Sequence, residues 1–295
     1  MVLVVGSTGK LGRAIVWRLR RDGIAVWALV RPTSNRAVLE GSGAEPVVGD
    51  LRDAKSLRMA CRGCEVVVTT ASSSSRPRDF DLERVDRQGN LNLIEAAGAE
   101  GVGHFVFTST IGADAPGAPR IFRNKHFIEE RLAARGLRYT VLRPAGFMEN
   151  LVPLIRWVRR TGWAVIPGPG TTKTSYIAIR DIAEMVRLVL AKPPSDQVIE
   201  FGGPEDLSLL DCIRVMGEVL GRRVRVLRVP VKLLRAIGFA ALPFTQVLDA
   251  VFEIFEFVER KGLRADKKFL LDYPLRLTSF RSFVGQQLGL SIGPG

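Results

Sequence analysis

Three glycines, Gly6, Gly9 and Gly12, stand at intervals of three in "VVGSTGKLGRAIVWRLRRDG", between a short apolar run and a stretch with helical periodicity. That spacing suits a chain that leaves a strand, turns and enters a helix around a phosphate. Gly6 allows the tight turn, Gly9 lets the backbone approach a pyrophosphate, and Gly12 permits close helix packing. The amides of Ser7, Thr8, Lys10 and Leu11 would share in holding the phosphates, aided by the helix dipole. A three-glycine pattern is common; here its weight comes from the strand before it and the helix after it.

The end of the second strand-like run decides between dinucleotides. A carboxylate there would accept from a ribose 2′-OH, but "ALVRPTS" supplies Arg31, a partner for a 2′-phosphate. NADP(H) is therefore the expected cofactor, with NAD(H) as the second choice, and Lys10 and Arg36 add to the same charge. In "GDLRD", Asp50 and Leu51 follow the third run, where Asp50 can accept from an adenine amino group and Asp53 can cap the next helix. Thr70, Ala71 and Ser72 after the fourth run, and Ser109 after the fifth, fall at strand carboxyl ends, the edge where open α/β sheets bind ligands.

These positions need a scaffold, and the chain alternates accordingly. "VLVVG", "AVWALV", "EPVVGD", "EVVVTTA", "HFVFTST" and "RYTVLRP" are separated by helix-period stretches at 10–22, 34–41, 53–60, 80–99 and 120–135. Continuous apolar runs between helices predict a parallel sheet covered on both faces, hence an α/β, Rossmann-type doubly wound fold. Past Pro144 the rhythm loosens, with a helix at 180–191, a strand at 197–201 and a helix at 208–220. The expected organisation is a nucleotide domain over 1–150, to which 173–201 adds, and a smaller, mainly helical lobe over 151–295.

Composition narrows the classes. The 295 residues are 46% hydrophobic and 25% charged, as in an ordinary globular protein. Their net charge of +13 invites nucleic acid, yet the arginines of "WRLRR", "RWVRR" and "GRRVRVLR" read as solvated helix faces without interleaved exposed aromatics. No nucleic-acid partner is expected. Cys61 and Cys64 lack the second pair of a zinc site and read as inert, and His104 and His126 form no metal cluster, so no metal is expected. Residues 230–258 are the most hydrophobic stretch, but Pro243 and five charges leave no clean span. They are expected to form two amphipathic helices that cover the sheet or the substrate pocket, or that dock on a partner or a membrane surface. "MVLVVG" enters a strand without a basic region or cleavage site, so the expectation is a cytoplasmic protein.

The glycine loop, Arg31, "GDLRD", "VDRQGNLNLIEAA", "HFVFTSTIGA", Lys125 and "GLRYTVLRPAGFMEN" together resemble the NmrA-like group of atypical short-chain dehydrogenases/reductases. The group includes isoflavone-reductase-like, quinone-reductase-like and photosystem-assembly relatives. The resemblance implies a Rossmann-type NADP-binding domain and a carboxyl-terminal substrate lobe. It also implies that Lys125 contacts the ribose or nicotinamide, a lysine that in some members also does acid/base work. Pro144 would sit near the nicotinamide, with Phe147, Met148 and Asn150 at the mouth of the substrate site and Phe147 also touching cofactor.

One departure matters. The superfamily's proton-donating Tyr, four residues before the Lys, is replaced by Ile121, which also deprives Ser109 of its usual companion. Two functions follow as expectations. One is an NADP(H)-dependent reductase for a quinone, an enone or a similar small acceptor that needs little general acid; the other is a non-catalytic NADP(H) sensor or assembly factor with a protein partner.

Overall fold

The structure is a computed structural model, and it describes residues 1–73, 80–233, 235 and 245–290 of the chain. Its first half alternates β1 (Val2–Val5), α1 (Lys10–Arg21), β2 (Val26–Val30), β3 (Glu45–Val48), α2 (Ala54–Cys61), β4 (Val66–Thr69), α3 (Gln88–Ala99), β5 (His104–Thr108), α4 (Arg120–Ala134) and β6 (Tyr139–Pro144). There follow α5 (Val152–Thr161), β7 (Trp163–Pro167), α6 (Ile179–Leu190), β8 (Gln197–Phe201), α7 (Leu209–Val219), β9 (Arg225–Val229), α8 (Thr245–Lys261), a short turn of helix α9 (Phe269–Asp272) and α10 (Phe280–Leu288).

Among the described residues, one seven-stranded sheet runs in the order β3-β2-β1-β4-β5-β6-β8 with every pairing parallel. The alternation of side chains across a strand explains its two buried faces. Val2 and Val4 join the layer of α1 and α6 with Ile15, Leu19, Ile182 and Val186, while Leu3 and Val5 join α2, α3 and α4 with Leu57, Leu93, Phe105 and Ile128. Burying each such aliphatic side chain is worth about 1.5–3 kcal/mol. All strand carboxyl ends therefore lie on one edge, where the loops carrying the candidate residues converge.

A third core is built beside the sheet. Met148, Ile155, Val158, Ala164, Ile166, Ile213, Met216, Phe280 and Val284 pack together there from α5, β7, α7, α10 and their connections. The fourth core cluster joins Ile111, Ile121 and Phe122 to Phe257 of α8.

Several elements differ from the sequence expectation. The expected helix at 34–41 is only a 3-10 turn, Arg36–Leu39, capped by Asn35. The arginines of "GRRVRVLR" do not share a helix face: Gly221 turns at φ +63° and residues 225–229 form β9, paired in parallel with β7. The β-branched Val224, Val226 and Val229 favour the extended chain there. The expectation of no exposed aromatics among the arginines also fails, because Trp17, Trp157 and Trp163 are all exposed. Of the two helices expected in 230–258, α8 is observed; residues 234 and 236–244 lie outside the described residues, as do Ser74 and Ser75 of the serine run. Among the described residues no helix is long and apolar enough to cross a membrane.

Candidate functional site

The glycine loop is fixed by close backbone contacts. Gly6 has φ +82°, and a Cβ on it would lie 2.8 Å from Thr70 Oγ1. A Cβ on Gly12 would lie 2.2 Å from the Gly6 carbonyl oxygen, so a side chain at either position displaces backbone. Gly9 differs: a Cβ there meets only the Gly6 carbonyl oxygen, at 3.2 Å, a tight contact but no overlap.

No side chain caps α1, and its first turn holds no carboxylate. A helix amino terminus without a cap and with a bare glycine in front fits a phosphate, which accepts from backbone amides and is favoured by the dipole. Lys10 is exposed at this point. The Ser7 hydroxyl is committed elsewhere, donating to the Leu29 carbonyl at 2.6 Å, and the Leu11 side chain packs into the core, so each can offer a ligand its main chain alone.

Arg31 immediately follows β2, where its amide donates to Ser34 Oγ at 3.2 Å. Asp50 follows β3, and its carboxylate accepts from Arg52 Nε at 3.0 Å and from a terminal guanidinium nitrogen at 2.6 Å. That pairing, with Arg31 also contributing, holds the Asp50 pKa below its usual value. Leu51 is buried beneath α3, where a Cβ on Gly89 would meet its own Cβ at 2.8 Å. Asp53 caps α2, accepting from the Lys55 and Ser56 amides.

The loop after β4 is pinned by residues that the sequence left unassigned. Asp86, buried in the π-helical turn Leu82–Arg87, accepts from Ser72 Oγ at 2.6 Å, from the Ser73 amide at 2.9 Å and from Ser73 Oγ at 2.5 Å. Asn90 donates to the Asp86 carbonyl at 2.9 Å, and Thr69 Oγ1 donates to Asn90 Oδ1 at 3.4 Å. Thr70 and Ala71 are held in turn, Thr70 by its amide to the Val5 carbonyl at 3.0 Å and Ala71 by its amide to Thr69 Oγ1 at 3.3 Å. Both Asp86 and Asn90 stand in "VDRQGN", and no local pattern marks Asp86, because its partners Ser72 and Ser73 lie 14 and 13 residues away in the chain.

At the end of β5, Lys125 Nζ donates to the Thr108 carbonyl at 2.8 Å and lies 5.3 Å from the centre of the Phe107 ring. Burial lowers the pKa of this ammonium, and the carboxylates of Asp86 and Glu129 oppose that shift in part. The adjacent Ser109 hydroxyl is buried with no hydrogen-bond partner among the described residues. Ile121, one helical turn before Lys125, is buried with Phe257 of α8. His126 turns away to Glu129, at 3.3 Å.

Beyond β6, Pro144 is buried and its carbonyl accepts from the Ile111 amide at 3.2 Å. Phe147 is half-buried and bridges to Ile177, Asn150 is exposed, and Met148 is buried in the third core. Glu149, not singled out in the sequence, caps α6 by accepting from the Ile179 amide through both oxygens, at 3.0 and 3.1 Å. Burial raises its pKa, and the amide hydrogen bonds it accepts, that of Ile179 first, draw it back in part. Tyr176 packs on Gly146, where a Cβ would meet its ring at 3.2 Å. Burial pushes its phenol upward, which makes it a poor proton donor.

Other reactive groups stand apart. Cys61, Cys64 and Cys212 are buried and free, and burial raises the Cys61 thiol to about 12 and the Cys64 thiol to about 11. Among the described residues no cluster of His, Cys, Asp or Glu could hold a metal ion.

Strand order, glycine turn and the row of polar residues along one sheet edge define a doubly wound, NAD(P)-binding Rossmann-type fold. The chain belongs to the NmrA-like family, whose profile matches residues 1–272. It is 30% identical to the photosystem II assembly factor Ycf39 of Cyanophora paradoxa, over 94% of this chain and 92% of that one. It is 32% identical to an NAD(P)H azoreductase of Xenophilus azovorans, over 76% of each. Among solved structures it is similar to an NADPH-dependent quinone oxidoreductase of Escherichia coli complexed with NADPH, with a TM-score of 0.83 and 23% identity over 98% of this chain and all of that one. A triphenylmethane reductase of Citrobacter complexed with NADP(H) has a TM-score of 0.84 and 18% identity, covering 97% and 100%. These two likenesses bear on the fold.

Proposed function

We propose that this chain is a cytoplasmic, NADP(H)-dependent reductase that passes hydride to a quinone, an enone or a similarly electron-poor small acceptor. The observation that carries the reading is Lys125: a desolvated ammonium, anchored to the Thr108 carbonyl beside the unpartnered Ser109 hydroxyl, on the same sheet edge as the glycine loop. The residues fit the cofactor. Loop amides and the α1 dipole would take the pyrophosphate, Arg31 the 2′-phosphate, and the remaining lone pair of Asp50 an adenine amino hydrogen. When bound, NADPH supplies the hydride, and the protein orients and shields it.

Lys125 does the proton work. A lysine whose charged form is disfavoured by burial releases its proton more readily than an exposed one, and its ammonium can neutralise negative charge on an acceptor oxygen. Quinones and enones spread that charge over several atoms, so one weak acid suffices in place of the Tyr that Ile121 replaces. Ser109 would donate to the same oxygen, with Phe147 and Asn150 at the mouth of the pocket. The named activities of the azoreductase and quinone-oxidoreductase relatives support this acceptor class.

A second reading rests on α8. Phe257 meets Phe122 edge-on at 5.5 Å between ring centres and closes over Ile121, and the Ycf39 relative is named as an assembly factor. A chain that binds NADP(H) but serves a protein partner would carry such a cover. Stopped-flow oxidation of NADPH by a panel of quinones separates the two. Turnover that Lys125→Ala abolishes supports the reductase; tight NADPH binding without turnover of any acceptor supports the binder.

A further inference from the structure

We infer that the face formed by β7, β9 and the end of α5 docks on an anionic phospholipid bilayer. The parallel register pairs Trp163 with Arg225 and Val165 with Leu227, so these four side chains share the outer face of the small sheet. Trp163 is 42% exposed, Val165 43% and Leu227 50%, while Ala164 and Ile166, on the opposite face, are buried in the third core. The Arg225 guanidinium sits 5.3 Å from the centre of the Trp163 ring. Arg222 ties this face to α5 by donating to the Val158 and Arg159 carbonyls at its last turn. That contact brings Arg159 and Arg160 to the same end of the sheet.

The charge is one-sided. Residues 152–167 hold three arginines and residues 219–248 six cations, with no Asp or Glu in either stretch. The neighbouring carboxylate in sequence, Glu218, is paired with Arg281. Among the described residues none of Arg159, Arg160, Arg222, Arg223 and Arg225 forms an ion pair. Exposed arginines left without carboxylates, set around a protruding Trp, Val and Leu, complement a surface that is anionic at its head groups and apolar just beneath. Trp has the amphipathic ring that such an interface takes, and arginine stems pack along apolar surface while their heads reach phosphate. A bilayer matches both features at once, head groups taking the charge and the acyl boundary the apolar side chains. The inference does not depend on the reductase reading, since the face is built from the lobe beside the sheet.

Flotation of the full chain with vesicles tests it. Vesicles of phosphatidylcholine containing phosphatidylglycerol should carry the protein, pure phosphatidylcholine should not, and raised salt should release it. Each arginine near an anionic surface contributes about a factor of five, so Arg223→Gln with Arg225→Gln should weaken binding roughly thirty-fold. The paired Arg→Lys variants should retain binding, and Trp163→Ala should weaken it and remove the blue shift of tryptophan fluorescence on vesicles. NADPH affinity, measured on the same variants, should be unchanged and serves as the folding control. Equal partition with both vesicle types, no partition with either, or capture of poly-glutamate without capture of anionic vesicles would overturn the inference, the last in favour of an acidic protein.

Discussion

A Cβ built on Gly12 falls 2.2 Å from the Gly6 carbonyl oxygen, whereas one built on Gly9 meets the same oxygen at 3.2 Å and nothing else. A side chain at the two positions therefore has different consequences for the fold. Gly12→Ala forces backbone apart and should lower stability by about 1–3 kcal/mol, as overpacking does. Gly9→Ala should melt close to the wild-type temperature and yet lose most of its NADPH affinity. Thermal melts and calorimetric titrations of both variants check the contrast.

Arg31 should set the choice between the two nicotinamide dinucleotides. A hydrogen bond between charged groups is worth about 1.5–3 kcal/mol, so Arg31→Leu should weaken NADPH binding roughly ten- to hundred-fold. NADH has no 2′-phosphate, and its affinity should stay within about a factor of three. The ratio of the two dissociation constants, before and after substitution, is the readout.

Lys125 carries a cost in stability that the reductase reading assigns to function. Burial lowers its folded pKa below the unfolded value, so between the two the unfolded chain binds more protons and stability rises with pH. Below that window the full penalty of the buried charge is present. Lys125→Met should thus be at least as stable as wild type at pH 7, should lose this advantage as the pH rises towards the ordinary lysine value, and should not turn over quinones. Urea melts across the pH range, run beside the activity assay, test both halves.

The cysteines should be silent. Burial lifts the Cys61 and Cys64 thiols to about 12 and 11, and Cys212 is buried as well, so little thiolate forms near pH 8. A disulfide-exchange dye should label none of the three in the native chain and all of them in denaturant.

Phe257 is 2% exposed and fills the space over Ile121 and Phe122. Phe257→Ala should cost about 3–5 kcal/mol, the range for truncating a buried aromatic, as measured by chemical denaturation. If α8 only closes the site, NADPH binding should persist in the variant below its melting temperature.

Much of this was legible in the sequence because the constraints are local. Gly6, Gly9 and Gly12 declare a turn by their spacing, Arg31 stands one residue past a strand, and alternating apolar runs fix the parallel sheet. Where the reading failed, distant chain segments decide. Asp86 matters because Ser72 and Ser73 meet it across a loop, and Tyr176 because it packs on Gly146; neither partner is close in sequence. Residues 225–229 became a strand because β7 offers them an edge more than fifty residues away, a pairing that no local pattern announces. Ile121 was legible as a missing Tyr, but its cover by Phe257 was not.

The most direct test of the nucleotide site is calorimetric titration of the purified full chain with NADPH and, separately, with NADH. The expected result is one site per chain for NADPH, with NADH weaker by about tenfold or more, a preference that Arg31→Leu removes. No heat with either form of NADP, or a preference for NADPH that survives loss of the Arg31 guanidinium, would contradict it.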